Sequence, residues 1–237
     1  KEEIIYKVLE RNEKINLFKN EKFLGSWGKE KMHEFQGKVS MELTSFFHGM
    51  SDSDWTAVFH GSTLFRENNC LMLTGDSGSG KSSLSAILMA NNFALIADDF
   101  SPMDDKGIHY NFPSAISIKE GFYSVAKKLY KSFSELNEYY INDIKGNVKY
   151  LADNRDKSVL KSSCNTILNV KFGSDLKNEI KAINKGKALE KILPDAWISK
   201  DIKDAKAFIT WVKSSIFYDL TYNDNDEAIK MINEILK

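Results

Sequence analysis

Eight consecutive residues, Gly75-Asp76-Ser77-Gly78-Ser79-Gly80-Lys81-Ser82, have the types and spacing that handle phosphate. Two glycines flank four residues and are followed by Lys-Ser, the phosphate-binding loop pattern. Glycine at 75, 78 and 80 permits positive φ and lets the backbone approach an anion with no Cβ in the way. Successive N–H groups can then converge on phosphate oxygens, and a following helix adds the positive end of its dipole. Lys81 can reach the outer phosphates, and the Ser82 hydroxyl can ligate a Mg²⁺ that bridges them, with Ser83 next in line. Asp76 is tolerable inside such a loop only if its carboxylate points away from the phosphates. The bland alternative is a glycine-rich turn between a strand and a helix.

The second set of candidates is Asp98-Asp99, which closes the apolar run Phe93-Ala94-Leu95-Ile96-Ala97. Carboxylates at the carboxyl end of a buried strand face the crevice where open α/β sheets bind ligands. One acid can hold Mg²⁺ while the other accepts a proton from an attacking hydroxyl. Neighbouring strand residues point to opposite faces, so only one of the pair is expected to aim at the metal. A solvated acidic turn is the competing reading. His60 is the third candidate, because a β-ribbon ahead of the loop strand can fold back and bring its end to the transferred phosphate. His33, His48 and His109 have no comparable context and read as ordinary.

These residues need elements to position them. Cys70-Leu71-Met72-Leu73-Thr74 reads as the strand entering the loop, and Leu84-Ser85-Ala86-Ile87-Leu88-Met89-Ala90 as the helix leaving it. Phe93 to Ala97 reads as a buried strand of a largely parallel sheet. Residues 55–66 look like strand material, with a turn at Glu67-Asn68-Asn69. Val39, Met41 and Leu43 alternate, which predicts a half-buried strand over residues 38–47. Ile4, Ile5, Val8 and Leu9 fit either a short helix or a strand, and Gly25-Ser26-Trp27-Gly28 reads as a turn-like break. Val125, Leu129, Phe133 and Leu136 predict a helix over residues 124–140, and residues 145–151 are expected to carry the Lys149-Tyr150-Leu151 segment to the crevice rim. Thr166 to Phe172 predicts a strand, residues 175–186 and 187–193 helices broken by Pro194, 205–215 a helix, and 217–222 a late strand. Asp224 to Glu227 opens a C-terminal helix whose stripe is Ile229, Ile232 and Leu236.

Composition bounds the rest. The 237 residues suffice for one large domain, or one with an appendage, and 42% hydrophobic and 12% aromatic content indicate a folded chain. Lys and Arg number 33 against 33 Asp and Glu, so charge gives no argument for nucleic acid or an anionic membrane. Cys70 and Cys164 are the only cysteines, and Cys70, in the loop strand, reads as a buried reduced thiol. No apolar run reaches the roughly 18 residues of a membrane span, and Lys1-Glu2-Glu3 does not read as a signal peptide, so a cytoplasmic protein is expected. The absent initiator Met suggests a trimmed chain. The basic residues Lys119, Lys127, Lys128 and Lys131 fit either an acidic acceptor or a solvated helix face.

Taken together, Phe59-His60-Gly61, the block from Leu73 to Ser82 and Ile96-Ala97-Asp98-Asp99 resemble the HPr kinase/phosphorylase family. The phosphoenolpyruvate carboxykinases are similar around their own loop and Asp pair. Phe112-Pro113-Ser114-Ala115-Ile116-Ser117-Ile118-Lys119 further resembles a segment of shorter HPr-kinase-like proteins. The likeness covers residues 58–120 and is weak elsewhere. It implies an α/β fold of the P-loop kinase type shared by these two families, a mixed sheet flanked by helices. It implies one such domain over 1–237, with an extension at 1–50, a nucleotide-binding core at 55–120 and sheet and acceptor elements at 121–237. By the same resemblance Gly75 to Ser82 would bind nucleotide phosphates, Lys81 would neutralise the transferred group, and Ser82 and Asp98 would serve Mg²⁺. Asp99 would be the general base and His60 would assist near the acceptor. A counterpart of the family's later acidic Mg²⁺ ligand and of its phosphorolysis segment is missing, which argues against phosphorolysis and against HPr as the substrate. Self-association is common among relatives of the fold.

The expectation is therefore an ATP- and Mg²⁺-dependent kinase acting on a Ser or Thr hydroxyl of a peptide or small protein. The alternatives are a kinase of a small hydroxylated metabolite such as free serine, and a nucleotide-binding protein without transfer chemistry. The acceptor cannot be read from the phosphate loop, since one fold hosts many chemistries.

Overall fold

A computed structural model describes residues 3–143, 145–153 and 160–237. The chain divides into two compact units, Lys1–Asp52 and Ser53–Lys237. In the first, β1 (Tyr6–Arg11), β2 (Lys14–Lys19) and β3 (Lys22–Gly28) form an antiparallel meander, followed by helix α1 (Met32–His48). Asn12-Glu13 and Asn20-Glu21 all have positive φ, the signature of two-residue hairpin turns whose twist matches the strands. Ile4 to Leu9 thus opens a strand. Gly25 to Gly28 is no break: the Trp27 indole lies over Gly25, where a Cβ would come within 2.4 Å of the ring.

The strand expected at 38–47 is the second half of α1. Its buried face carries Glu42, Thr44 and Ser45, so apolar periodicity does not mark the buried side. Burial alone would raise the Glu42 pKa, but Lys38 (2.7 Å) and Lys19 (3.0 Å) hold it below the usual range. Gly49, in the left-handed region at φ +63°, ends the helix, and Met50 N–H reaches back to the Ser45 carbonyl.

In the second unit the chain continues through β4 (Trp55–Phe59), β5 (Ser62–Arg66), β6 (Asn69–Thr74), α2 (Lys81–Ala90) and β7 (Ala94–Ala97). Then come β8 (Ser101–Asp104), β9 (Ile108–Tyr110), β10 (Ile116–Lys119), α3 (Tyr123–Leu129), β11 (Glu138–Asn142), β12 (Gly146–Leu151) and β13 (Lys161–Ser163). The last elements are β14 (Thr166–Phe172), β15 (Glu179–Ile183), α4 (Lys185–Ile192), β16 (Ala196–Ile198), α5 (Ile202–Ser214), β17 (Ile216–Tyr222) and α6 (Asn225–Ile235).

A six-stranded sheet in the order β15-β17-β14-β6-β5-β7 is central. Strands β17, β14 and β6 are parallel, whereas β15 is antiparallel to β17, and β5 is antiparallel to both its neighbours. The sheet is therefore mixed, and β7 pairs antiparallel rather than joining a largely parallel array. Because β5 reverses direction between them, β6 and β7 still run the same way. The carboxyl ends of β6, β7, β14 and β17 accordingly share one edge, the side on which open α/β sheets take ligands.

Both faces of this sheet are covered, which explains the unbroken apolar run of β6. Leu71 and Leu73 pack on one face with Leu84, Leu88, Leu168, Val170, Leu220 and Ile232. Cys70 and Met72 pack on the other with Phe59, Ile167, Phe208, Trp211 and Phe217. The second face is shared with a five-stranded sheet, β13-β9-β8-β4-β16. A three-stranded sheet, β10-β12-β11, contributes Ile116, Ile118 and Leu151 to the first face.

The expected helix over 124–140 stops at Leu129. Tyr130 turns extended and donates its hydroxyl to the Ala86 carbonyl, and Phe133 folds back onto Tyr123 in a 3₁₀ turn before β11 begins. Residues 179–183 form edge strand β15 rather than helix. Strands β14 and β17 and helices α4, α5 and α6 stand where the sequence predicts them, with Pro194 in the 3₁₀ turn after α4. Cys70 is buried and reduced, as is Cys164. Among the described residues no helix is long and apolar enough to cross a membrane.

Candidate functional site

The loop between β6 and α2 is shaped by its glycines. Gly75 (φ +133°) lies so close to β14 that a Cβ would stand 2.8 Å from the Val170 carbonyl oxygen. Gly80 (φ +100°) is pressed against Phe172 and the Tyr222 hydroxyl, at 3.0 and 3.2 Å from where its Cβ would be. The Phe172 N–H donates to the Ser79 carbonyl, tying the loop to β14. Among the described residues no side chain caps the start of α2, so its first N–H groups are left to whatever occupies the loop.

Lys81 is only 7% exposed and its ammonium donates to the Gly75 (2.5 Å) and Asp76 (3.2 Å) carbonyls. That folds the amine across the mouth of the loop. Ser77, Gly78, Gly80, Lys81, Ser82 and Ser83 line a cleft of about 440 Å³, together with His60 and Asp99. Asp76 and Ser79 instead line a second depression of about 540 Å³, beside Lys191 and Asp195. Asp76 is thus turned from the first cleft, as its charge requires, and Gly75 is buried beneath.

The two acids divide, though beyond the strand rather than by its alternation: β7 ends at Ala97, and the chain bends at Asp98-Asp99. Asp99 lines the cleft with its side chain 49% exposed, whereas Asp98 is enclosed at 2%. Burial first, then the Asp99 charge, push the Asp98 carboxyl up to about 7, against the Ser62 hydroxyl and Lys81, which pull it down. Ser62 Oγ donates to Asp98 Oδ1, and Ser114 Oγ donates to the Asp98 carbonyl. Asp99 itself has φ +60°, an uncommon conformation for a side-chain-bearing residue, and such residues concentrate at functional sites. His60 Nδ1 lies 3.3 Å from the Asp99 carbonyl oxygen and 3.8 Å from its carboxylate. The His60 N–H donates to the Asp195 carbonyl, which fixes the ribbon end beside the acids.

Other lining residues were not read from the sequence: Ser117, Phe122, Val125, Lys145, Phe172, Tyr222 and Asn225. Phe172 and Tyr222 end predicted strands at the ligand edge, so the signal for them was present. Lys145 sits in a turn with no motif around it. Of the basic residues considered, Lys119 lines the cleft, while Lys127, Lys128 and Lys131 are exposed and do not. Lys145, not Lys149, reaches the rim; Lys149 lies over the Tyr123 and Phe133 rings and donates to the Ser134 carbonyl. His109, read as ordinary, is fully buried, accepts from or donates to Ser101 at 2.9 Å, and stacks on Phe59.

Among the described residues no three His, Cys, Asp or Glu side chains gather as a self-sufficient metal cage. A Mg²⁺ carried on phosphates needs only one or two protein oxygens. The Ser82 hydroxyl and the Asp99 carboxylate face the same cleft, and this all-oxygen set fits such an ion. Reaching Asp98 requires passing Asp99 and loosening the Ser62 bond.

The fold and cleft together define a mixed α/β protein with a glycine-loop cleft at the carboxyl edge of its central sheet. No family model matches the chain. No curated protein matches it either. Among solved structures, the HPr(Ser) kinase/phosphatase from Coxiella burnetii aligns with a TM-score of 0.34 and 12% identity, covering 75% of this chain and 93% of that one. A likeness at that level carries no inference about activity.

Proposed function

We propose that the protein is a Mg²⁺-dependent kinase that moves the terminal phosphoryl group of ATP to a hydroxyl, on a Ser or Thr of a peptide or small protein. The observation that carries this reading is the convergence of Lys81, Ser82, His60 and Asp99 on one cleft above an uncapped helix start. Among the described residues, Lys81, Lys119 and Lys145 line that cleft against the single exposed carboxylate of Asp99, which favours a polyanion.

In this reading the loop amides and the α2 dipole hold the phosphates, and Lys81 leaves its loop carbonyls to meet the outer ones. Ser82 would hold the Mg²⁺ with carboxylate support from the Asp98-Asp99 pair. The ion, when bound, supplies charge neutralisation on the phosphate oxygens. Asp99 takes the proton from the acceptor hydroxyl, and His60 orients Asp99 and shares the proton.

The test is transfer of labelled γ-phosphate to Ser and Thr peptides and to a panel of small hydroxylated metabolites. Asp99→Asn is expected to slow transfer about 10²–10⁴-fold, the usual worth of a general base. Lys81→Ala is expected to abolish it. Transfer retained in both variants would eliminate the mechanism, and phosphorylation confined to the metabolites would move the acceptor to that class.

A further inference from the structure

The cleft has two unlike ends, and strand order sets which is which. Across β5 from the glycine loop, on the β7 side, stand Asp99 and His60. On the opposite side β14 and β17 end at Phe172 and Tyr222, and Asn225 opens α6. A phosphate chain seated on the loop with its transferred end at Asp99 therefore runs toward Phe172 with its other end.

Phe172 is built to be met there. The residue is 49% exposed although apolar, and its ring centroid lies 5.2 Å from that of the buried Tyr222. Its backbone is fixed by the bond to Ser79, and its Cβ lies where a side chain on Gly80 would have to stand, 3.0 Å from that absent Cβ. The ring is thus held at the lip of the loop with one flank free. Every nucleobase has a π-face that can use such a ring, and a fused purine covers more of it than a pyrimidine. The Asn225 amide, in the same wall, offers a donor and an acceptor to a base edge.

We propose that this end of the cleft is a nucleobase subsite, with Phe172 as stacking platform and Asn225 as edge reader, so that the donor is a purine nucleoside triphosphate rather than an inorganic polyphosphate. This deepens the kinase reading and rests on its phosphate loop.

Calorimetric titration of the full chain with Mg²⁺-ATP and, separately, Mg²⁺-tripolyphosphate tests it. Phe172→Ala is expected to weaken ATP about tenfold, the usual loss of one stacking partner, and to leave tripolyphosphate within about twofold. Phe172→Trp is expected to restore ATP affinity, which a folding defect at this position would not allow. Asn225→Ala is expected to narrow the difference between ATP and GTP. Equal weakening of ATP and tripolyphosphate by Phe172→Ala overturns the subsite, as does tripolyphosphate binding to the unaltered protein as tightly as ATP. Failure of both ligands to bind the unaltered protein overturns the phosphate loop itself, and the subsite with it.

Discussion

At the scale of single residues, the molecule keeps two acids side by side in opposite environments. Asp99 is open to the cleft and Asp98 is sealed under it, so one position can exchange protons with a bound molecule while the other cannot without rearrangement. The sequence suggested that only one of the two would aim at the metal, but by alternation along a strand that ends at Ala97, before either acid. It did not foretell Ser62, because a serine in a strand gives no sign of what lies across from it. His109 has a sharper consequence. Burial lowers its pKa to about 3, so the folded protein holds it neutral where the unfolded chain, at the ordinary 6.5, takes up a proton. Stability from this group is complete above pH 6.5 and is lost as the pH falls from there toward 3, at about 1.4 kcal/mol per pH unit. Urea denaturation at pH 7.5 and 5.5 should show the unaltered protein losing about 1 kcal/mol more than His109→Asn, by the same linkage. Equal losses in the two proteins would show that His109 is charged in the fold.

At the scale of elements, legibility followed how cleanly burial maps onto apolar pattern. Strand β14 was read from the sequence because both its faces are covered and its apolar residues sit where the sheet needs them. Helix α1 was misread because its buried side carries Glu42, whose charge is met by Lys38 one turn earlier on the helix and by Lys19 from β2. Strand β15 was misread because it is an edge strand with Glu179 and Lys181 exposed, charges that suit an edge and resemble a helix surface. Helix α6 was legible through its start: the Asp224 carboxylate accepts from the N–H groups of Asp226 and Glu227, both at 2.9 Å. Asp224→Ala is expected to cost about 1 kcal/mol, read as a shift in urea midpoint. Because Asn225 directly follows this cap, the same substitution should also weaken ATP binding, and a variant unchanged in both would show that the cap is idle.

At the scale of the whole molecule, every described residue lining the cleft belongs to the unit Ser53–Lys237. A fragment of residues 53–237 is expected to unfold cooperatively and to bind Mg²⁺-ATP within about twofold of the full chain, by calorimetry. Loss of binding in a folded fragment would place part of the site in the first unit. The central sheet also carries a consequence in how it spaces its parts. With β5 wedged between them, β6 and β7 lie two strand widths apart, about 10 Å. The sheet works as a ruler for the gap that a phosphate tail must bridge, indifferent to loop lengths. Strand β7 stops at Ala97, so the ruler sets how far the acids stand from the loop, while the bend beyond it, with Asp99 at φ +60°, sets which of them is wet.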